Sequence, residues 1–270
     1  MKKTWKRNGL WLMAIIAMVT LTGCPSAHVE IEPQQGPSND LVAVVQTDSI
    51  YGTNEENSDY SATMTVAVPV DGPQALIDSV MVLMNKEIYE FCEYCVHFDE
   101  EVTSYSREEV YTNDGAQLLS HYMEYYKPLL QDSVWNVFDR SIGMETQTES
   151  FVTYGVENFH CGASCGSEKG FYTFDKGDGH RISEIISPEN LVRFFEEHPE
   201  NATIEESEEN PGWTFDPETE FENTSFGLLR DSFVLVIEGV GNHYMTKEIP
   251  YSQIGSYLSP EAQALLGLDK

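Results

Sequence analysis

The stretch Ser133–Phe159, "SVWNVFDRSIGMETQTESFVTYGVENF", decides the fold. It is rich in Val, Phe, Thr and Tyr, and apolar and polar residues alternate in places, the period of a half-buried strand rather than of a helix. Its length and its polar centre predict two long antiparallel strands. Before it the chain has the other period. In residues 74–96, Ile77, Val80, Met84, Ile88, Phe91 and Cys95 recur at three and four, tracing one apolar helical stripe. A second helix is expected over Gly115–Tyr126, with Leu118, Leu119, Tyr122 and Tyr126 on one side and Pro128 ending it soon after. Upstream, "YSATMTVAVPV" (60–70) alternates as a strand, and Asp71-Gly72-Pro73 makes a turn and a helix start.

Downstream, "KGFYTFDKGDGHRIS" predicts a strand, a Gly177-Asp178-Gly179 turn and a return. "PENLVRFFEEH" (188–198) is a short amphipathic helix with Leu191, Phe194 and Phe195 inward. Residues 199–223 form an acidic surface excursion, "FGLLRDSFVLVIEGV" and "YMTKEIPYSQI" the last strands, and "SPEAQALLG" a helix capped by Ser259 with Pro260 at its first position. Helices and strands are segregated, so the class is α+β: antiparallel sheet or sheets packed against one long and several short helices.

The N-terminus sets the compartment. Lys2, Lys3, Lys6 and Arg7 precede the apolar run Leu10–Leu21. The pattern is that of a secretory leader, too short for the ~20 apolar residues of a spanning helix. Leu21-Thr22-Gly23-Cys24 resembles a bacterial lipobox, which implies cleavage after residue 23, lipidation of Cys24 and anchorage to a membrane outside the cytoplasm. Residues 24–59, rich in Pro, Gln, Ser, Asn and Glu, are then a flexible tether. Residues 60–268 are the folded part, with halves at about 60–132 and 133–268.

Without the head's four cations, 11 Lys and Arg face 45 Asp and Glu, a formal charge of −34. Such a surface repels nucleic-acid backbones and attracts cationic partners and divalent ions. No phosphate loop, G-x-S-x-G or H-E-x-x-H is present.

The order of segments resembles the extracytoplasmic domain of unknown function shared by RsiV-type anti-sigma factors, PdaC-type peptidoglycan deacetylases and many lipoproteins. The residues that carry the resemblance are the loop Cys161–Gly166, the strand and turn with Asp175 and Gly179, the helix in "ISEIISPENLVRFF", and Ile249-Pro250-Tyr251 at the end of "FVLVIEGVGNHYMTKEIPY". It spans about residues 60–268. The family's loop glycines fall here on Cys161 and Cys165 and its histidine on Ser164, so that histidine's role does not transfer. The stretch before Ile249 is shorter than usual. In the anti-sigma members this domain senses lysozyme. A direct anti-sigma role needs a cytoplasmic segment and a spanning helix, which a chain beginning at Cys24 lacks, and the deacetylases' catalytic domain is likewise missing.

The resemblance therefore implies a non-enzymatic ligand-binding lipoprotein of the cell envelope, its ligand a cationic protein such as lysozyme or a cell-wall glycan such as peptidoglycan. Ser164, Tyr251 and the exposed-aromatic candidate Trp213 are the binding candidates. A different class, an envelope hydrolase or esterase, would need a polar pocket with His97, His160 or His243 strongly perturbed. A third is a stapled structural lipoprotein. Cys92, Cys95, Cys161 and Cys165 are disulfide candidates, with three pairings open. Outside the cytoplasm oxidation is the default, and a Cys161–Cys165 bridge is easy in a glycine-containing loop. The same four thiolates, or three with a histidine, are the alternative zinc ligand set. No other cofactor is implied. "DKGDGH" (175–180) has a faint calcium-loop pattern but lacks a glutamate ligand at the right distance and reads as a turn.

Overall fold

The computed structural model describes residues 39–53, 59–96, 111–131, 137–162, 165–204, 213–240 and 243–268. Within these the chain forms β1 (Val42–Thr53), β2 (Asp59–Asp71), α1 (Gln74–Val96), α2 (Gly115–Gln131), β3 (Val137–Gln147), β4 (Phe151–Cys161), β5 (Cys165–Asp175), α3 (Pro188–Glu197), β6 (Thr203–Ile204), β7 (Trp213–Thr214), α4 (Pro217–Glu220), β8 (Thr224–Leu228), β9 (Ser232–Val240), β10 (His243–Pro250), α5 (Tyr251–Ile254) and α6 (Pro260–Leu266). The class is α+β. A five-stranded sheet of order β1-β2-β3-β4-β5 and a three-stranded antiparallel sheet of order β10-β9-β8 are its two main sheets.

The first sheet is mixed, where antiparallel pairing was expected: β2 and β3 run parallel. Parallel neighbours need a crossover rather than a hairpin, and α1 and α2 lie in that crossover. Alternation decides what each sheet face meets. Tyr60, Ala62, Met64, Val66 and Val68 of β2 are buried, and with Phe138, Ile142, Val152, Tyr154 and Val156 they form one core with Leu76, Val80 and Met84 of α1 and Leu118, Leu119 and Tyr122 of α2. A second core lies on the other side of the three-stranded sheet. There Phe233, Leu235 and Ile237 of β9 meet Leu191, Phe194 and Phe195 of α3 and Ala262 of α6. The opposite side of β9, Val234 and Val236, packs on Phe171 of β5 and joins the sheets.

Local signals hold where caps carry them. Ser187 caps α3 and Ser259 caps α6, each followed by proline, and Gly267 closes α6 at φ 65°. Three expectations fail. The folded part begins before residue 60: Val42–Thr53, placed in the tether, pairs antiparallel with β2 along its whole length, and Leu41 is buried. The chain enters through a clamp at this point. Lys176 Nζ lies 2.8 Å from Asp40 and donates to Thr148 O at 2.9 Å, while Leu41 N donates to Gln147 Oε1 at 2.7 Å. Secondly, α2 runs to Gln131 rather than ending at Pro128. Proline removes one backbone donor, and the helix continues for three residues beyond it. Thirdly, the 199–223 excursion is partly internal. Phe215 is 2% exposed and meets Phe195 edge-on at 5.1 Å.

Candidate functional site

The helices cover one face of the five-stranded sheet and the second sheet covers part of the other. The strand register places what remains open. One row across the sheet reads Tyr51, Ser61, Val137, Cys161, Cys165; the next Ser49, Thr63, Asp139, Phe159, Ser167; the third Thr47, Thr65, Ser141, Glu157, Lys169. None of these residues is buried. Five strands at roughly 4.8 Å spacing make each row about 20 Å wide. Seven of the fifteen side chains are serine or threonine, and Thr47–Thr65 and Ser49–Thr63 hydrogen-bond across β1 and β2. Tyr51, 77% exposed, and Phe159, 36%, stand out from this floor.

Carboxylates set the electrostatics of the face. Glu145 projects from the β3 bulge and lies over Gly155 of β4; a Cβ there would come 2.3 Å from Glu145 Oε1, so the glycine leaves room for this side-chain position. This lets Glu145 reach Lys169 Nζ at 3.0 Å, with Glu157 at 3.8 Å on the same cation. Tyr244 donates to Glu157 Oε1 at 2.6 Å. Burial first, and then Glu157, raise the Tyr244 pKa. The Asp139 carboxylate has no hydrogen-bond or ion-pair partner among the described residues.

Two other polar clusters hold the fold. The turn after β5 brings ligand-type atoms of Asp175, Asp178 and His180 within 4.8 Å of one another. The glutamate that the sequence segment lacks arrives from α6: His180 contacts Asp178 through Nδ1 and Glu261 through Nε2. The hydrogen bond to Asp178, then that to Glu261, push the His180 pKa up to about 9. With both ring nitrogens engaged by carboxylates, His180 fastens the turn to α6. Beneath the helices, Arg140 Nη2 meets Glu87 Oε2 at 2.5 Å, with side chains 1% and 8% exposed. Tyr172 donates to Glu87 Oε1 at 2.6 Å, and Arg181 stacks 4.4 Å above the Tyr172 ring.

Of the residues expected to act, Cys161 and Cys165 face each other at the end of the β4–β5 pair with Cα atoms 4.0 Å apart and sulfurs bonded. Cys92 and Cys95 lie in α1; their side chains, and that of His243 in β10, lie outside the described residues, as do Cys24, His97 and Ser164 altogether. Trp213 pairs with Ile204 in the β6–β7 ribbon, its side chain likewise outside them. Tyr251 is half-buried and donates to Leu229 O at 2.6 Å, well away in sequence from the sheet rows. Among the described residues no helix is long and apolar enough to cross a membrane. The open face was not read from the sequence. Its one signal was the Ser61, Thr63, Thr65 alternation, which became a face only once β1, β3 and β4 were in register.

No family model and no curated protein matches the chain. Solved structures of DUF3298 family proteins, the RsiV/PdaC-associated domain, match over most of its length. One, from Bacteroides fragilis, is 15% identical with a TM-score of 0.49, over 86% of this chain and 99% of that one. Another, from Pseudomonas aeruginosa PAO1, is 10% identical with a TM-score of 0.47, over 83% of this chain and 97% of that one.

Proposed function

We propose that this protein is a non-enzymatic lipoprotein of the bacterial cell envelope, anchored outside the cytoplasm through Cys24, whose folded domain binds a cationic protein of the lysozyme type. The disposition of its few cations carries the reading. Arg140, Lys169 and Lys176 pair with Glu87, with Glu145 and Glu157, and with Asp40. Arg230 and Lys247 donate to the carbonyls of Gln147 and Thr203, and Arg181 and Arg193 stack on Tyr172 and Tyr257. These seven cations thus serve the domain's own architecture. The 45 carboxylates of the sequence far outnumber them, and among the described residues every carboxylate side chain but Glu87 is exposed or half-buried, where it accelerates encounter with positive partners.

The test is a titration of the full-length protein, in non-ionic detergent, against egg-white lysozyme and against cytochrome c as an equally basic control, at low and high salt. Saturable lysozyme binding that survives salt while the control's does not is the expected result. Equal binding of both that salt abolishes reduces the interaction to net charge and refutes the reading.

A further inference from the structure

We propose that the open half of the outer sheet face, centred on Asp139 and Glu157, is the surface on which a basic protein docks; this rests on the function proposed above and assigns it a place. The inner face is occupied by α1 and α2, and the Phe171 end of the outer face by the three-stranded sheet. What stays open is level. Thr63, Thr65 and Ser141 keep the surface low, so a folded partner can approach across several strands at once.

Charge complementarity chooses the occupant. Lys169 is the cation of these rows, and Glu145 and Glu157 together exceed it by one charge. Asp139 sits one strand and one row from Glu157, a diagonal of roughly 7–8 Å, and its carboxylate has no partner among the described residues. A carboxylate pair at that separation fits two Lys or Arg side chains on one partner surface. Tyr51 and Phe159 supply the exposed aromatics that anchor interfaces. Lysines and arginines carried on a folded, flat surface meet all three features together; a free polycation meets only the charge.

The experiment removes equal charge from two places. Asp139→Asn with Glu157→Gln neutralises the face with isosteric groups, and Glu189→Gln with Glu196→Gln removes the same charge from the exposed side of α3. Binding of full-length protein to egg-white lysozyme, at a salt concentration where the wild type saturates, is expected to weaken about tenfold for the first pair and less than about twofold for the second. Thr65→Arg, which sets a cation on the open face, is expected to weaken it further; thermal melts show whether each variant is folded. Equal weakening by both pairs, or full binding by the face variants, overturns the docking surface and leaves the function standing. If wild-type protein fails to bind in salt, both fall.

Discussion

Truncating the Glu87–Arg140 pair tests the account of the core most directly. The guanidinium is 1% exposed and its carboxylate 8%, and the second carboxylate oxygen accepts from Tyr172. Glu87→Gln keeps the shape and a hydrogen-bonding amide but strands a buried positive charge. Removal of one partner from a buried pair costs about 3–5 kcal/mol, to which the loss of a charge-assisted hydrogen bond contributes about 1.5–3. In a domain of this size, about 4 kcal/mol lowers the melting temperature by roughly 10 °C. Replacing both residues, Glu87→Leu with Arg140→Met, removes the uncompensated charge as well as the pair, and its cost should fall to about 1 kcal/mol or less. Urea unfolding of the wild type, Glu87→Leu, Arg140→Met and the double closes the cycle, with Glu87→Gln measured beside it, read at constant slope so that the midpoint alone reports stability. If Glu87→Gln costs under about 1 kcal/mol, or if the double variant is as unstable as the sum of the singles, the pair is solvated or uncoupled and the reasoning fails.

Three further outcomes follow from named contacts. His180, raised to about 9 by Asp178 and Glu261, binds its proton more tightly folded than unfolded. Its contribution is therefore full below the unfolded value of about 6.5 and is lost as pH rises through about 9. The urea-midpoint gap between wild type and His180→Gln should close over that window, and a gap that stays constant contradicts the assignment. Gly179 has φ 78°, and a Cβ there would lie 2.4 Å from the Ala75 carbonyl carbon, so Gly179→Ala should cost about 3 kcal/mol, the strain of the left-handed conformation and the backbone clash together. A neutral result would mean that the turn does not press on the start of α1. Peptide mapping without reductant should return Cys161 and Cys165 in one bridged species, lighter by the two thiol hydrogens; free thiols there would remove the bridge from the hairpin end.

The parts of the fold visible in the sequence are those that short-range chemistry determines. The β2 alternation, the stripe that begins α1 and the Ser-Pro caps of α3 and α6 each rest on residues within a few positions of one another. What escaped depends on partners far along the chain. After Val45, β1 reads Gln-Thr-Asp-Ser, with Thr47 and Ser49 in the open-face rows, and such a segment has the composition of a tether. The parallel β2–β3 pairing reflects where α1 and α2 place β3, which no local pattern encodes. The candidate face has the same origin: Thr65, Ser141 and Glu157 are unremarkable singly and become neighbours through three registers. Glu261 reaches His180 across 81 residues, so a ligand search limited to the loop could not find it.

The clamp at Asp40 gives the domain a defined mechanical response. Tension arriving from residues before Asp40 meets the Lys176 contact and the Gln147–Leu41 bonds before it reaches any β1–β2 ladder pair. Lys176 is 3% exposed and Thr148, its other partner, lies in the β3–β4 turn, so the pull is delivered to the middle of the five-stranded sheet instead of its edge. Once the clamp yields, β1 is free to peel from β2 pair by pair, starting at Val42, while β2 to β5 keep their hydrogen bonds. The domain should therefore give way under force in two steps, a stiff release followed by a soft unzipping of twelve residues, and the first step sets how much pull the edge strand survives.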